Sequence, residues 1–303
     1  MTATTHPRLI AAILLLMLLI PGVCAGHGVL GERFFPESIV VDDPFPADEM
    51  DLLSFSGRKD NKNLTDSFGS EISKRLTPDL SLAIGGAYDV ARPNGGSQTM
   101  YGFENLDLEL KYSVIQMPEH EFIASAGVIY GIGGTGAAGV GSSPRPTVMP
   151  QMLFGWGMGD LPDSLKYFKP LAVTGQLGVA STIGGGAPST LNYGLVVEYS
   201  LLYLQSFVKD VGIPWPMSRL FPVAEFNVET PLGGPGAART QALANPGILW
   251  AGEFYEIGVE AAIPLNGATG HSVGVQALVH LFLDDIFPFT YGRPFFGAGP
   301  LRR

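Results

Sequence analysis

The sequence predicts an all-β fold, a transmembrane up-and-down antiparallel barrel of about twelve strands, with ten as the smaller alternative. Three observations predict it. Segment after segment alternates between apolar and polar residues, the two-residue period of a strand with two unlike faces. The composition is 46% hydrophobic and only 15% charged, with 40 Gly and 24 Pro in 303 residues. That is little charge for a surface in water and too much Gly and Pro for a helical protein. Finally, the connections alternate between tight turns and longer Gly-rich stretches, as in barrels with short periplasmic turns and long outer loops.

The chain opens with residues 1–25, which read as a cleaved signal peptide. Arg8 precedes an apolar run from Leu9 to Ile20, a Pro-Gly break and small residues at Val23 and Ala25. The run is too short to span a bilayer as a helix, which takes about twenty residues. The only cysteine, Cys24, lies in this leader, so the mature chain has no disulfide, thiolate nucleophile or cysteine metal cluster. Residues 26–48 are too irregular for a barrel strand and read as either a periplasmic lead-in or a plug folded into the lumen. In the plug reading, Phe34, Phe35 and Phe45 give it something apolar to bury. Residues 49–303 form the barrel.

The strands follow in order. Expected segments are 49–57, 66–76, 79–90, 105–114, 119–132, 146–158, 171–180, a long one over 191–207, 222–230, 253–263 and 272–283. "FPFTYGRPFF" (287–296) returns as the last strand. In "NLDLELKYSV" (105–114), Leu106, Leu108, Leu110 and Tyr112 oppose Asp107, Glu109, Lys111 and Ser113. Tight turns fall at 76–79, 116–120, 159–165, 209–216 and 265–270; longer loops fall at 92–102, 133–145, 183–190 and 233–247. Tyr167, Phe168, Phe207, Trp215 and Phe221 near short turns, with Trp250 and Phe254 near a long loop, mark two interfacial girdles. The apolar parity therefore faces lipid and the charged parity faces the lumen. The lumen-lining set is Asp107, Glu109, Lys111, Glu198, Glu225, Glu229, Glu256 and Glu260, an acidic wall that favours cations or neutral solutes.

The stretches "GFENLDLELKYSV", "PEHEF" and "GDLPDSLKYFKPLAVTGQLG" carry a resemblance. Over roughly residues 49–285 the chain resembles outer-membrane proteins grouped as the MetA pathway of phenol degradation, loose relatives of hydrophobic-compound channels. The resemblance implies a bacterial outer-membrane barrel that passes small, apolar compounds, and it brings no catalytic residues. The terminal "GPLRR" departs from the aromatic ending typical of such barrels.

Other chemistries find little support. A net charge of −10 argues against a nucleic-acid partner. His271 and Ser272 are strand neighbours pointing to opposite faces, so they make no nucleophile–base pair. Acids two apart on one strand are what a polar barrel face produces, not a glycosidase pair. "GGTGAAG" (133–139) has no following helix or lysine to cradle a phosphate. Cleavage after Gly26 instead would leave His27 at the N-terminus, where its amine and ring can chelate copper with His120, His271 or His280. The expectation is thus a barrel with no catalytic, metal or cofactor residues, partnered by the lipid bilayer and passing an unidentified small solute. A structural or adhesive barrel without conductance is the alternative, and a secreted copper-binding protein using His27 a third.

Overall fold

The alternating segments become strands whose two faces meet opposite surroundings. The computed structural model describes residues 28–96, 98–233 and 239–297. A small hairpin joins β1 (Val29–Leu30) and β2 (Arg33–Phe34). The wall contains β3 (Glu49–Lys59), β4 (Asn63–Thr77), β5 (Leu80–Pro93), β6 (Met100–Phe103), β7 (Asp107–Met117), β8 (Phe122–Gly131) and β9 (Thr147–Gly157). It continues through β10 (Leu171–Thr182), β11 (Thr190–Tyr199), β12 (Leu220–Pro231), β13 (Gln241–Ala251), β14 (Tyr255–Pro264) and β15 (Gly274–Phe282). Neighbours are antiparallel throughout, and β15 pairs back onto β3 to close the barrel. β5 pairs with β7 over Leu80–Gly85 and with β6 over Tyr88–Ala91. β6 and β7 are therefore one wall strand interrupted at residues 104–106, and the wall has twelve staves.

Closure by β15 onto β3 pairs the long strands on both sides, as a sheet in hydrocarbon requires, and leaves the short β6, paired with β5 alone, at the outer end. The burial pattern is inverted relative to a protein in water. On β7, Glu109, Lys111 and Ser113 are buried while Leu110, Tyr112 and Val114 are exposed. On β14, Glu256 and Glu260 are buried while Ile257 and Val259 are exposed. Apolar side chains coat the outside, so this is a membrane barrel of the bacterial outer-membrane type. Both ends of the barrel chain leave from the rim that carries the 78–79 and 118–121 turns, which is the periplasmic rim of an even-stranded barrel.

Four expectations change. The stretch 233–247 is not all loop, because Gln241–Ala251 is a wall strand. Pro246 and Gly247 disguise it: Pro246 lacks a donor, and the β13–β14 register skips Asn245 and Pro246. Segment 287–296 is turns, not a strand, since β15 already meets β3. The two errors offset, so the count of twelve survives while its membership changes. They also reverse the expected direction of the last two staves, placing 265–273 on the outer rim. The long 191–207 strand stops at Tyr199, where Ser200 turns the chain. Its side chain accepts from the Tyr203 amide and caps a short helical stretch that runs to Val208.

Loop length sorts less cleanly than composition, because 158–170 and 200–219 are long and lie on the periplasmic rim. Of the expected girdle, Tyr167, Phe168, Phe207 and Trp215 are exposed at that rim, but Phe221 is fully buried and faces inward. Trp250 lies on this rim too, with its indole donating to the Pro216 carbonyl at 3.0 Å. Tyr101 and Phe103 on β6 supply exposed aromatics at the other end.

Candidate functional site

The lumen is built by the inward parity of the staves, and residues 28–48 lie against it. Near the periplasmic rim the inward side chains are apolar. Phe34 meets Phe221 and Phe282 edge-on at 5.7 and 6.0 Å, with Val223 and Leu249 in the same cluster. Phe35 and Phe45 pack at 5.5 Å beside Leu30, Ile123 and Ala172. Sequence reading found the three phenylalanines of the segment but placed Phe221, the partner of Phe34, in the interfacial girdle.

Arg33 is fully buried, and its Nε donates to Glu121 at 2.8 Å. Its other nitrogens donate to the carbonyls of Pro170 and Lys169, and its plane lies 4.3 Å from the Tyr203 ring centroid. Gly157 makes this possible, since a Cβ there would lie 2.1 Å from the Glu121 carboxylate and 2.2 Å from Arg33 Nε. Burial, with Glu121 alongside, pushes the Tyr203 hydroxyl up to about 12. At the other end of the segment, Asp48 is buried and accepts from Lys74 Nζ at 2.5 Å and Arg75 Nε at 2.8 Å.

Between these anchors the segment meets the predicted lumen residues. Glu225 is fully buried and accepts the amides of Ile39, Val40 and Val41 at 2.6, 3.0 and 2.9 Å. A carboxylate facing three consecutive amides is a strong charge-assisted contact. Glu256 accepts the Glu37 amide at 3.3 Å. Glu260 lies over Gly247 of β13 on the side of Glu225; Gly247 leaves the room, since a Cβ there would lie 2.4 Å from Glu260 Cγ. Because β13 intervenes, β12 and β14 are not consecutive strands. Val41 likewise occupies the space a side chain at Gly194 would take.

Lys111 donates to Asp42 at 2.7 Å and Asp43 at 3.4 Å. Gln151 links Glu109 at 2.8 Å to Asp42 at 3.1 Å, and Gln176 accepts the Asp42 amide. Glu198 is buried within the field of Arg33. Asp107 and Glu229, at the outer ends of their strands, are exposed. Gln151, Asp42 and Asp48 were not singled out from sequence, and Gln176 was read on the polar face of 171–180 but not counted among the lumen-lining charges.

One acid cluster has ligand-like spacing. Single oxygens of Glu37, Asp43 and Glu49 lie within 4.8 Å of one another. Lys111 contacts Asp43, and the His280 ring contacts Glu49 at 3.6 Å and Asp51 at 2.7 Å, so the chain's own groups serve this cluster. Burial and then Asp43 and Glu49 push the Glu37 carboxyl well above its usual range. His27 lies outside the described residues. His120 and His271 sit at opposite ends of the barrel, so they cannot join one copper site.

No family model matches the chain, and no curated protein matches it. Among solved structures, a KdgM porin aligns at TM-score 0.46 and 9% identity, covering 76% of this chain and 97% of that one. A NanC porin aligns at 0.48 and 8%, covering 76% and 98%. LpxR from Salmonella typhimurium aligns at 0.46 and 12%, covering 77% and 99%.

Proposed function

We propose that this barrel is an outer-membrane channel for passive passage of small molecules, hydrophobic ones among them, and that residues 28–48 are its plug. The observation that carries this reading is how the segment is held. It adds no strand to the wall; side chains of the inward face grip it, chiefly Glu225 on three amides and ion pairs at Arg33 and Asp48. Contacts of that kind can open without unfolding the barrel. The apolar layer around Phe221 and Phe282 suits apolar solutes, as the resemblance to MetA-pathway barrels implies. The acids Glu109, Glu198, Glu256 and Glu260 supply the polar part of the wall.

A second reading, a structural barrel without conductance, is favoured by one feature: the same Phe34–Phe221–Phe282 layer seals the periplasmic end. Planar-bilayer recording separates the two. The channel reading expects small unitary conductance from the full chain and larger conductance from a variant lacking residues 28–46. A silent parent and a silent deletion variant, both folded, would leave the structural barrel standing.

A further inference from the structure

The plug does not fill the lumen evenly. On the side formed by β4, β3 and β15, a recess of about 110 Å3 remains, walled by Ser54, Ser56, Ser67, Ala87 and Gln276 and floored by Ile39 of the plug. Strand register explains the space. Ala87, Gly69 and Ser54 stand side by side across β5, β4 and β3, and Ser67, Ser56 and Gln276 form the adjoining row. Apart from Gln276, these are small side chains where the rest of the lumen carries glutamates and aromatics. Gly69 adds to the space, and a Cβ there would lie 2.3 Å from Ser54 Oγ, so a side chain would have to turn that hydroxyl aside. The floor is fixed as well, since the Ile39 amide is held by Glu225.

We infer that this recess is a binding station on the solute path, selective for small neutral molecules that carry hydroxyl or amide groups. The inference rests on the channel reading above. Its wall offers three hydroxyls and one carboxamide, each able to donate and accept, together with aliphatic surface from Ala87 and Ile39. No charged side chain lines it. Acids border it instead: Asp89 stands opposite Ser67, and Glu260 opposite Gln276. Those carboxylates repel anions, and cations have stronger partners in them than in the recess itself. At roughly 10–15 Å3 for one water-sized sphere, the volume admits a handful of waters or one compact solute.

Two measurements on the full chain test this. The first is liposome swelling with glycerol, comparing the parent with Ala87→Leu, which fills the recess, and Ile84→Ala, which alters only the lipid face. Glycerol entry should fall at least fivefold in A87L and stay at the parent rate in I84A. The second uses Ser67→Cys, the sole thiol once the leader carrying Cys24 is gone. Neutral methyl methanethiosulfonate should modify it at least tenfold faster than the sulfonate-bearing anionic analogue, and glycerol should slow the neutral reagent. A parent that passes glycerol with A87L equally permeable overturns the station and leaves the channel standing. Equal labelling by both reagents, or no slowing by glycerol, overturns the neutral selectivity. A parent that passes nothing overturns channel and station together. Heat-dependent gel mobility of each variant shows that the barrel is intact.

Discussion

Glu225 shows what a single carboxylate does in this lumen. It is buried, and three plug amides supply the hydrogen bonds it lost from water. Truncation to alanine leaves those amides without an acceptor, a loss on the order of 2–3 kcal/mol given the strength of bonds to charged groups. Glu225→Ala should therefore loosen the plug, read as increased unitary conductance, with the barrel still resistant to detergent at room temperature. Conductance equal to the parent would mean that Glu225 does not hold the plug closed. On the opposite face, Leu110→Arg places a charge against hydrocarbon at a cost of about 2–4 kcal/mol near mid-membrane depth. It should block assembly, while Glu109→Gln next to it should assemble, a contrast that refolding yield into detergent measures. Parity made this contrast legible in the sequence, because Leu110 and Glu109 differ in polarity as well as face. What parity could not reveal is which inward residue meets the plug. Glu225 and Glu229 look alike in "VAEFNVET", yet one is fully buried and the other exposed.

At the scale of an element, strands were readable wherever polarity alternated and unreadable where both faces were mostly apolar, as in β13, whose inward side carries Leu243, Leu249 and Ala251. β13 was hidden because Gly247 and Pro246 are loop signals in isolation, and only the fold shows that Gly247 makes room for Glu260. The segment 26–48 stayed open between lead-in and plug for a related reason: its order comes from the wall, not from any period of its own. Gly194 tests that dependence, since a Cβ at this position would lie 2.6 Å from Val41. Gly194→Val should displace the plug and make residues 28–48 accessible to protease, with the barrel unchanged in gel mobility.

On the channel reading, the acids divide into those engaged by the plug or by the wall and those facing the passage. Glu225 and Glu256 accept plug amides, and Glu109 is bonded to Gln151. Asp107 and Glu229 lie on the same inward parity but at the outer mouth, where they are exposed. Exposed charges in bulk water act over a screening length of about 8 Å at physiological salt. At a mouth bounded by low-dielectric wall, several together focus a field of a few kT and enrich cations. Cation preference should therefore be set at the mouth, and conductance by the plug. Asp107→Asn with Glu229→Gln should move the reversal potential in a salt gradient toward zero while unitary conductance changes little. Glu225→Ala should do the opposite, raising conductance and leaving the reversal potential near the parent value. If neutralising the mouth leaves the reversal potential unchanged and Glu225→Ala shifts it instead, ion selection lies at the depth of the plug.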